Sequence, residues 1–173
     1  MRWLGARSPA PNREDLTRVA RELLRLDPWS FWSVELDAAA DASFAIVGRT
    51  GAFVVGVCPL AGYLVADGRH LVVDGHRVGG WAALQRAAKR LRGRLAEFGA
   101  PQVEVIPMLV LARAAAGAPR DHRGVRVARL DDVVGEVTRR AHVLDPSTAQ
   151  RVASGLGRVL KGPGAAEEVD PAG

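Results

Sequence analysis

The sequence predicts an α/β fold with a central mixed β-sheet of about five strands, flanked by helices and extended by a small β-hairpin. Short runs of aromatic and β-branched residues bounded by glycines are typical of strands. Two longer segments, residues 14–26 and 81–98, repeat apolar residues at the i, i+3, i+4 spacing of helices. Both patterns occur in turn along one chain, which favours an α/β architecture.

Composition predicts one globular domain. The chain has 173 residues, of which 48% are hydrophobic and 25% charged, enough to bury a sizeable core. We expect a flexible leader at residues 1–12, the folded domain at residues 13–161 and a disordered tail at residues 162–173, which is rich in Gly, Pro, Ala and acidic residues.

The single cysteine, Cys58, excludes an internal disulfide framework and a multi-cysteine zinc site. No apolar run approaches the ~20 residues that a membrane-spanning helix needs. These features predict a cytoplasmic protein without membrane association. The net charge of +5 is carried mostly by arginine. It suggests an acidic partner, although GC-rich coding also enriches arginine and alanine.

The central feature is a predicted hairpin made of the apolar runs 44–47 and 52–57 around Gly48 and Gly51. Both runs are almost continuously apolar, which is typical of strands covered on both faces. Before the hairpin, Asn12 is the expected N-cap of a helix over residues 14–26. An aromatic segment over residues 29–34 then leads into an edge strand, and its rings are expected in the core.

After the hairpin, residues 59–62 are predicted to turn the chain into short meander strands with Asp-Gly turns. The longest helix follows at residues 81–98. A strand at residues 103–111 is expected to bend at Pro107, because proline cannot donate a ladder hydrogen bond. A loop at residues 114–123 and a short strand at residues 125–127 come next. The last elements are predicted helices at residues 131–140 and from Asp145 to about residue 160.

This order of elements, with the hairpin motif Ile-Val-Gly-Arg-Thr-Gly-Ala-Phe-Val-Val at residues 46–55, resembles the nuclease-related domain (NERD) family. Further local matches are Arg13-Glu14 at the start of the first helix and Gln85 on the long helix. The family is placed with the restriction-endonuclease-like nucleases of the PD-(D/E)XK superfamily. The resemblance covers residues 14–160 and implies a nuclease scaffold.

In such nucleases, a hairpin acid and an acid-x-lysine triplet hold and assist a divalent cation. In this chain the hairpin acid aligns with Ser43, and the triplet aligns with Gly56-Val57-Cys58. Glu14 and Gln85 alone remain of the family's polar set. The resemblance therefore implies a degenerate site without metal or other cofactor. We expect Ser43, Gly56 and Cys58 to point into one depression near Glu14 and Gln85.

Two rival interpretations remain open. An active Mg²⁺-dependent DNA nuclease would need a relocated carboxylate site, for which Glu14, Asp41 and Glu35 are the candidates. A structural subunit would instead act through exposed apolar surface. Cys58 is expected to be an inert packing residue, and the four histidines show no metal-ligand spacing.

The long helix carries the predicted binding surface. Off its apolar stripe lie Arg86, Lys89, Arg90, Arg92 and Arg94. Three of these arginines follow the i, i+4, i+8 spacing and therefore stack on one side of the helix. We predict that Arg86, Lys89, Arg90 and Arg94 contact nucleic acid or an acidic protein surface. The alternative is an ordinary solvated helix face.

Overall fold

The computed structural model describes residues 9–36, 41–67, 69–117 and 120–160, with side chains described up to residue 156. The helices in this part of the chain are α1 (Arg13–Leu23), α2 (Trp81–Glu97), α3 (Val133–Thr138) and α4 (Pro146–Leu160). The strands are β1 (Phe31–Glu35), β2 (Phe44–Gly48), β3 (Gly51–Asp67), β4 (His70–Val73), β5 (His76–Arg77), β6 (Val105–Ala115), β7 (Arg120–His122) and β8 (Val125–Arg129). A 3-10 turn at Leu130–Asp132 precedes α3.

The strands form one mixed sheet. Its main path is β1-β2-β3-β6-β8-β7, and β4 and β5 continue from the far end of β3 as an extension. β3, β6 and β8 run parallel, whereas β1, β2 and β7 are antiparallel to their neighbours. The predicted α/β fold with a central mixed sheet and a hairpin extension is confirmed. The main path has six strands, one more than the expected number of about five.

Helices cover both faces of the sheet. Phe53 and Val55 of β3 pack with α1 and α3 in one cluster, while the intervening Val54 packs with α2 and α4 on the other face. Every residue of β2 is buried, as are the first eight of β3, so the hairpin is central as predicted. No helix of the described residues is long and apolar enough to cross a bilayer.

The helix caps and the Asp-Gly turn form as the sequence predicts. Asn12 caps α1 in a reciprocal capping box with Asp15, in which each side chain accepts from the other's backbone N–H. Asp145 accepts the Thr148 N–H at 2.9 Å at the start of α4. Asp74 and Gly75 both have positive φ, 46° and 81°, as the predicted Asp-Gly turn requires.

Two predicted loops are in fact strands. β3 does not turn at residues 59–62 but continues to Asp67, with a register shift between Cys58 and Ala61. A bulge at this point accommodates Pro59, because the bulged residues need no regular ladder bonds. Residues 120–122 form β7 inside the predicted loop, since the edge of β8 supplies a pairing partner.

Pro107 lies within β6 opposite Val54, and the strand continues on either side of it. β8 pairs with β6 only from Met108 onward. One side of β6 therefore has no strand partner at Pro107, and a missing N–H is tolerated there.

The expectation that all the aromatic rings lie in the core was wrong for Trp29, which is 84% exposed. Asp27-Pro28 ends the helical segment, and the Asp27 carboxylate accepts the Trp29 N–H at 3.1 Å. Phe31 is buried, and Trp32 is partly buried. Trp29 thus precedes the first sheet residue, and no element among the described residues covers its ring.

Candidate functional site

A cavity of 520 Å³ lies beside the first turn of α2, over the middle of β3 and next to Leu109 of β6. Its polar side chains are Asp41, Ser43 and Arg86, and the rest of its wall is mainly apolar. The wall residues are Pro9, Ala10, Pro11, Asp41, Ala42, Ser43, Gly56, Val57, Cys58, Gly79, Gly80, Ala83, Leu84, Arg86 and Leu109. Ligands commonly bind in concave, mainly apolar pockets that carry a few polar groups. This cavity is therefore the first candidate site.

The structure brings Ser43, Gly56 and Cys58 together in this cavity. The Ser43 N–H donates to the Val55 carbonyl at 2.7 Å, so β2 pairing extends back to Ser43. Gly56 and Cys58 are two residues apart on β3 and share one face of the sheet. That face is the one covered by α2.

Gly56 leaves no room for a larger side chain. A Cβ atom at this position would lie 2.9 Å from Cδ2 of Leu84, which reaches down from α2. The resemblance to nuclease-related domains implies that an active member would hold a carboxylate and its cation in this space. Here an aliphatic side chain fills it, so α2 packs directly onto the sheet.

Cys58 is 3% exposed and unpaired. Burial raises the pKa of its thiol, and the negative charge of Asp15 adds to the effect. The thiol therefore stays protonated at neutral pH, which is unsuitable for a nucleophile or a metal ligand. This is the behaviour expected of an inert packing cysteine.

Asp41 supplies the carboxylate among the residues that line the cavity, and it is hydrogen-bonded by two arginines of α2. Its Oδ2 lies 3.3 Å from Arg86 Nε and 2.9 Å from Arg90 Nη2, and Oδ1 lies 3.3 Å from Arg86 Nη2. Hydrogen bonds from Arg86 and then Arg90 lower the pKa of Asp41. Asp41 adopts a positive φ of 62°, which aspartate tolerates better than most residues. Its charge is thus already balanced.

Glu14 and Gln85 lie outside this cavity. Glu14 is exposed on α1, beyond the opposite face of the sheet, and pairs with Arg113 at 3.3 Å. Gln85 points away along α2 and donates from Nε2 to the Arg123 carbonyl at 2.6 Å. Glu35, proposed for a relocated site, is exposed at the end of β1 and is absent from the cavity wall.

The carboxylates considered for a relocated nuclease site therefore do not converge. No group of three or more His, Cys, Asp or Glu side chains within the described ranges is arranged to hold a metal ion. Asp41 faces two guanidinium groups, and the residues beside it are Ser43, Gly56 and Cys58. This donor set does not suit Mg²⁺, which prefers several oxygen ligands in octahedral geometry.

The basic residues predicted on α2 are exposed and differ in their pairing. Arg86 and Arg90 contact Asp41, and Arg94 contacts Glu97 at 2.9 Å. Lys89 and Arg92 form no ion pair with any residue that the structure describes.

Sequence reasoning missed an ion pair between a buried carboxylate of α1 and an exposed arginine of β6. Asp15, which is fully buried, accepts a hydrogen bond from Nε of Arg113 on β6. The same carboxylate completes the Asn12 capping box, so one group fixes both α1 and the adjoining residues 9–11 of the cavity wall. The position of Asp15 at the third residue of α1 is compatible with a cap, but no local pattern indicates its contact with Arg113.

No protein-family model matches the chain, and searches of curated proteins and of solved structures gave no match either. The resemblance to nuclease-related domains therefore rests on the residues and element order given above.

Proposed function

We propose that this protein is a non-catalytic, nuclease-related domain that binds nucleic acid through the basic face of α2. The proposal joins the resemblance of the sequence to nuclease-related domains with the chemistry of the cavity and the charge of α2. It assigns no metal and no cofactor to the protein.

The observation that carries the non-catalytic part is the state of Asp41. A nuclease carboxylate faces a cation that it shares with the scissile phosphate. Asp41 faces Arg86 and Arg90 instead, and Leu84 occupies the space above Gly56. Both features remove the place where a metal and an attacking water would sit.

The charge balance of α2 supports the binding part. Its exposed surface carries five cations, Arg86, Lys89, Arg90, Arg92 and Arg94. Two carboxylates, Asp41 and Glu97, oppose them. The excess positive charge lies along one 17-residue helix, which suits a row of phosphate groups.

Binding is tested with a labelled DNA oligonucleotide, by fluorescence anisotropy over a range of salt concentrations. The variant replaces Arg86, Arg90 and Arg94 by glutamine, which retains helix propensity. We expect weaker binding and a plot of log K against log salt that is flatter by about one to two, since each lost phosphate contact removes about 0.9 from the slope.

The matched control replaces Arg18, Arg21 and Arg25 by glutamine. These arginines are exposed in and just after α1, on the other side of the sheet. The control loses the same charge and should keep most of the affinity and slope. Equal losses in the two variants would show binding by net charge alone. Absence of binding by the parent at low salt would overturn the nucleic-acid assignment.

Catalysis is tested separately by incubating DNA with the parent protein and Mg²⁺ or Mn²⁺. We expect no cleavage. Metal-dependent cleavage that is lost in Asp41→Asn but retained in Ser43→Ala and Cys58→Ala would overturn the non-catalytic assignment and favour the relocated nuclease site.

A further inference from the structure

A second group of basic residues lies at the β3–β4 turn and along β7 and its turn to β8, away from the α2 arginines that bind Asp41. Its members are Arg69, His70, Arg120, His122 and Arg123. They come from two segments about fifty residues apart in sequence, which the extension of β3 and the edge strand β7 bring together.

Hydrogen bonds from side chains to backbone carbonyls hold these turns in place. Arg123 donates from Nη2 to the Arg69 carbonyl at 3.4 Å, and the Arg123 carbonyl accepts from Gln85 Nε2 at 2.6 Å. Arg123 and Gly124 both have positive φ, 51° and 72°, which forms the tight β7–β8 turn. The cluster is thereby fixed to α2 through Gln85.

An aromatic ring supports the cluster. The imidazole of His122 packs on the indole of Trp81, with 4.7 Å between the ring centroids and a tilt of 55°. The His122 Nε2 atom is buried and has no hydrogen-bond partner among the described residues. This buried, unsatisfied polar atom belongs to an imidazole on which the charges of Arg123 and Arg120 act.

Few carboxylates oppose these cations. Arg69, Arg120 and Arg123 form no ion pair within the described part of the chain. Of the acidic residues close by, Asp121 pairs with Arg126 at 3.5 Å. Asp67 lies opposite His70 in the β3–β4 register.

The positive potential here also acts on His122. Burial lowers the pKa of this imidazole, and the charges of Arg123, His70 and Arg120 lower it further. An anion bound among these groups would relieve the same repulsion.

The side of α2 next to this cluster is also basic. Lys89 is four residues beyond Gln85 and Arg92 is seven beyond it, so all three lie on one side of the helix. Lys89 and Arg92 lack ion pairs to described residues, unlike Arg86 and Arg90 on the other side. A track of cations therefore leads from α2 to the β7–β8 turn.

We propose that Arg69, His70, Arg120, His122 and Arg123 form a second phosphate-binding surface, continuous with Lys89 and Arg92, that extends the nucleic-acid contact of α2. The inference rests on the proposed function for the identity of the polyanion. It adds phosphate contacts on the side of α2 that carries Lys89 and Arg92, which pair with no carboxylate among the described residues.

The first experiment measures DNA binding by a variant in which Arg69, Arg120 and Arg123 are replaced by glutamine. We expect a loss of affinity at least as large as that of the Arg86, Arg90 and Arg94 variant, with a salt slope flatter by about two to three. The Arg18, Arg21 and Arg25 variant is again the control. Circular dichroism and melting confirm that each variant is folded.

The second experiment uses sodium tripolyphosphate and follows the imidazole resonances of His70 and His122 by NMR. Both should shift on titration in the parent protein and stay unshifted in the triple variant. This readout depends on the cluster alone and does not require that the biological ligand be nucleic acid.

The outcomes separate the two proposals. If the parent binds DNA and the Arg69, Arg120 and Arg123 variant binds equally well, the second surface is overturned while the α2 proposal stands. If the parent binds no DNA but tripolyphosphate shifts both histidines, the nucleic-acid function fails and an anion site remains. Unshifted histidines overturn the site itself.

Discussion

Removing the charge of Asp41 should strengthen DNA binding, because Asp41 pairs with two arginines of α2 that would otherwise be available to phosphate groups. Asp41 occupies Arg86 and Arg90 as a phosphate would, through contacts of 3.3 Å and 2.9 Å. Asp41→Asn removes the charge and keeps the shape. Asparagine also tolerates the positive φ of 62° at this position, which alanine does not.

The expected magnitude follows from the number of arginines released. Asp41 engages two guanidinium groups, so its neutralisation makes one to two additional phosphate contacts available. By counterion release, these steepen the salt slope by about 0.9 to 1.8, which raises the ratio of affinities at 50 and 200 mM salt roughly 3- to 12-fold. Fluorescence anisotropy with labelled duplex DNA measures both the slope and the affinity.

Asp131→Asn is the matched control for this experiment. Asp131 is exposed in the 3-10 turn before α3, across the sheet from α2, and its replacement changes the net charge by the same amount. The control should bind like the parent. The reasoning is refuted if Asp41→Asn leaves the slope unchanged, or if the control strengthens binding equally.

Three further outcomes concern stability. Gly93→Ala should stabilise the protein by about 0.5–1 kcal/mol, because Gly93 lies in the exposed part of α2 with open space at its Cβ position. Gly155→Ala in α4 should destabilise it, because the new Cβ would lie 2.6 Å from the ring of Phe98. Thermal unfolding compares the two variants. Gly56→Ala should lower the free energy of unfolding by about 1–3 kcal/mol, and by less when Leu84 is also replaced by alanine. Urea unfolding of the single and double variants measures this coupling. Additive losses would contradict the close packing of Gly56 against Leu84. Because the pKa of His122 is lowered in the folded protein, the unfolded chain takes up this proton at a higher pH than the folded chain does. The free energy of unfolding should therefore fall as the pH drops below about 6.5, and His122→Gln should make that decline shallower in urea unfolding. The same pH profile in the variant and the parent would refute the assignment.

Much of the fold could be predicted because its signals are local. The amphipathic spacing of α1 and α2, the Asn12 cap and the Asp74-Gly75 turn depend on neighbours within a few residues. The central hairpin was predictable for the same reason, since a two-residue turn between apolar runs sets its own register. The α/β class follows from these elements and their order.

Short strands were less predictable, since they form only where a partner is available. β7 has three residues and exists because β8 offers an edge. β3 continues past Pro59 because β6 and then β4 pair with its later residues. Gly155 is a helical example of the same limit. The sequence shows that a glycine lowers the helix propensity of α4, but only the structure shows that it leaves room for the ring of Phe98.

For the candidate site, strand alternation alone placed Gly56 and Cys58 on one face, and the hairpin register adds Ser43 beside them. The position of Glu14 was not predictable, because nothing local says which face of the sheet α1 will cover.

The sequence by itself therefore determined the longer elements, the hairpin and the lack of a nuclease-type acid-x-lysine triplet. Tertiary structure alone decided the electrostatics. Asp41 meets Arg86 and Arg90 across 45 and 49 residues, and Asp15 meets Arg113 across 98. Such ion pairs are set by how the helices dock on the sheet, and a single sequence has no periodicity that reports a contact at that separation.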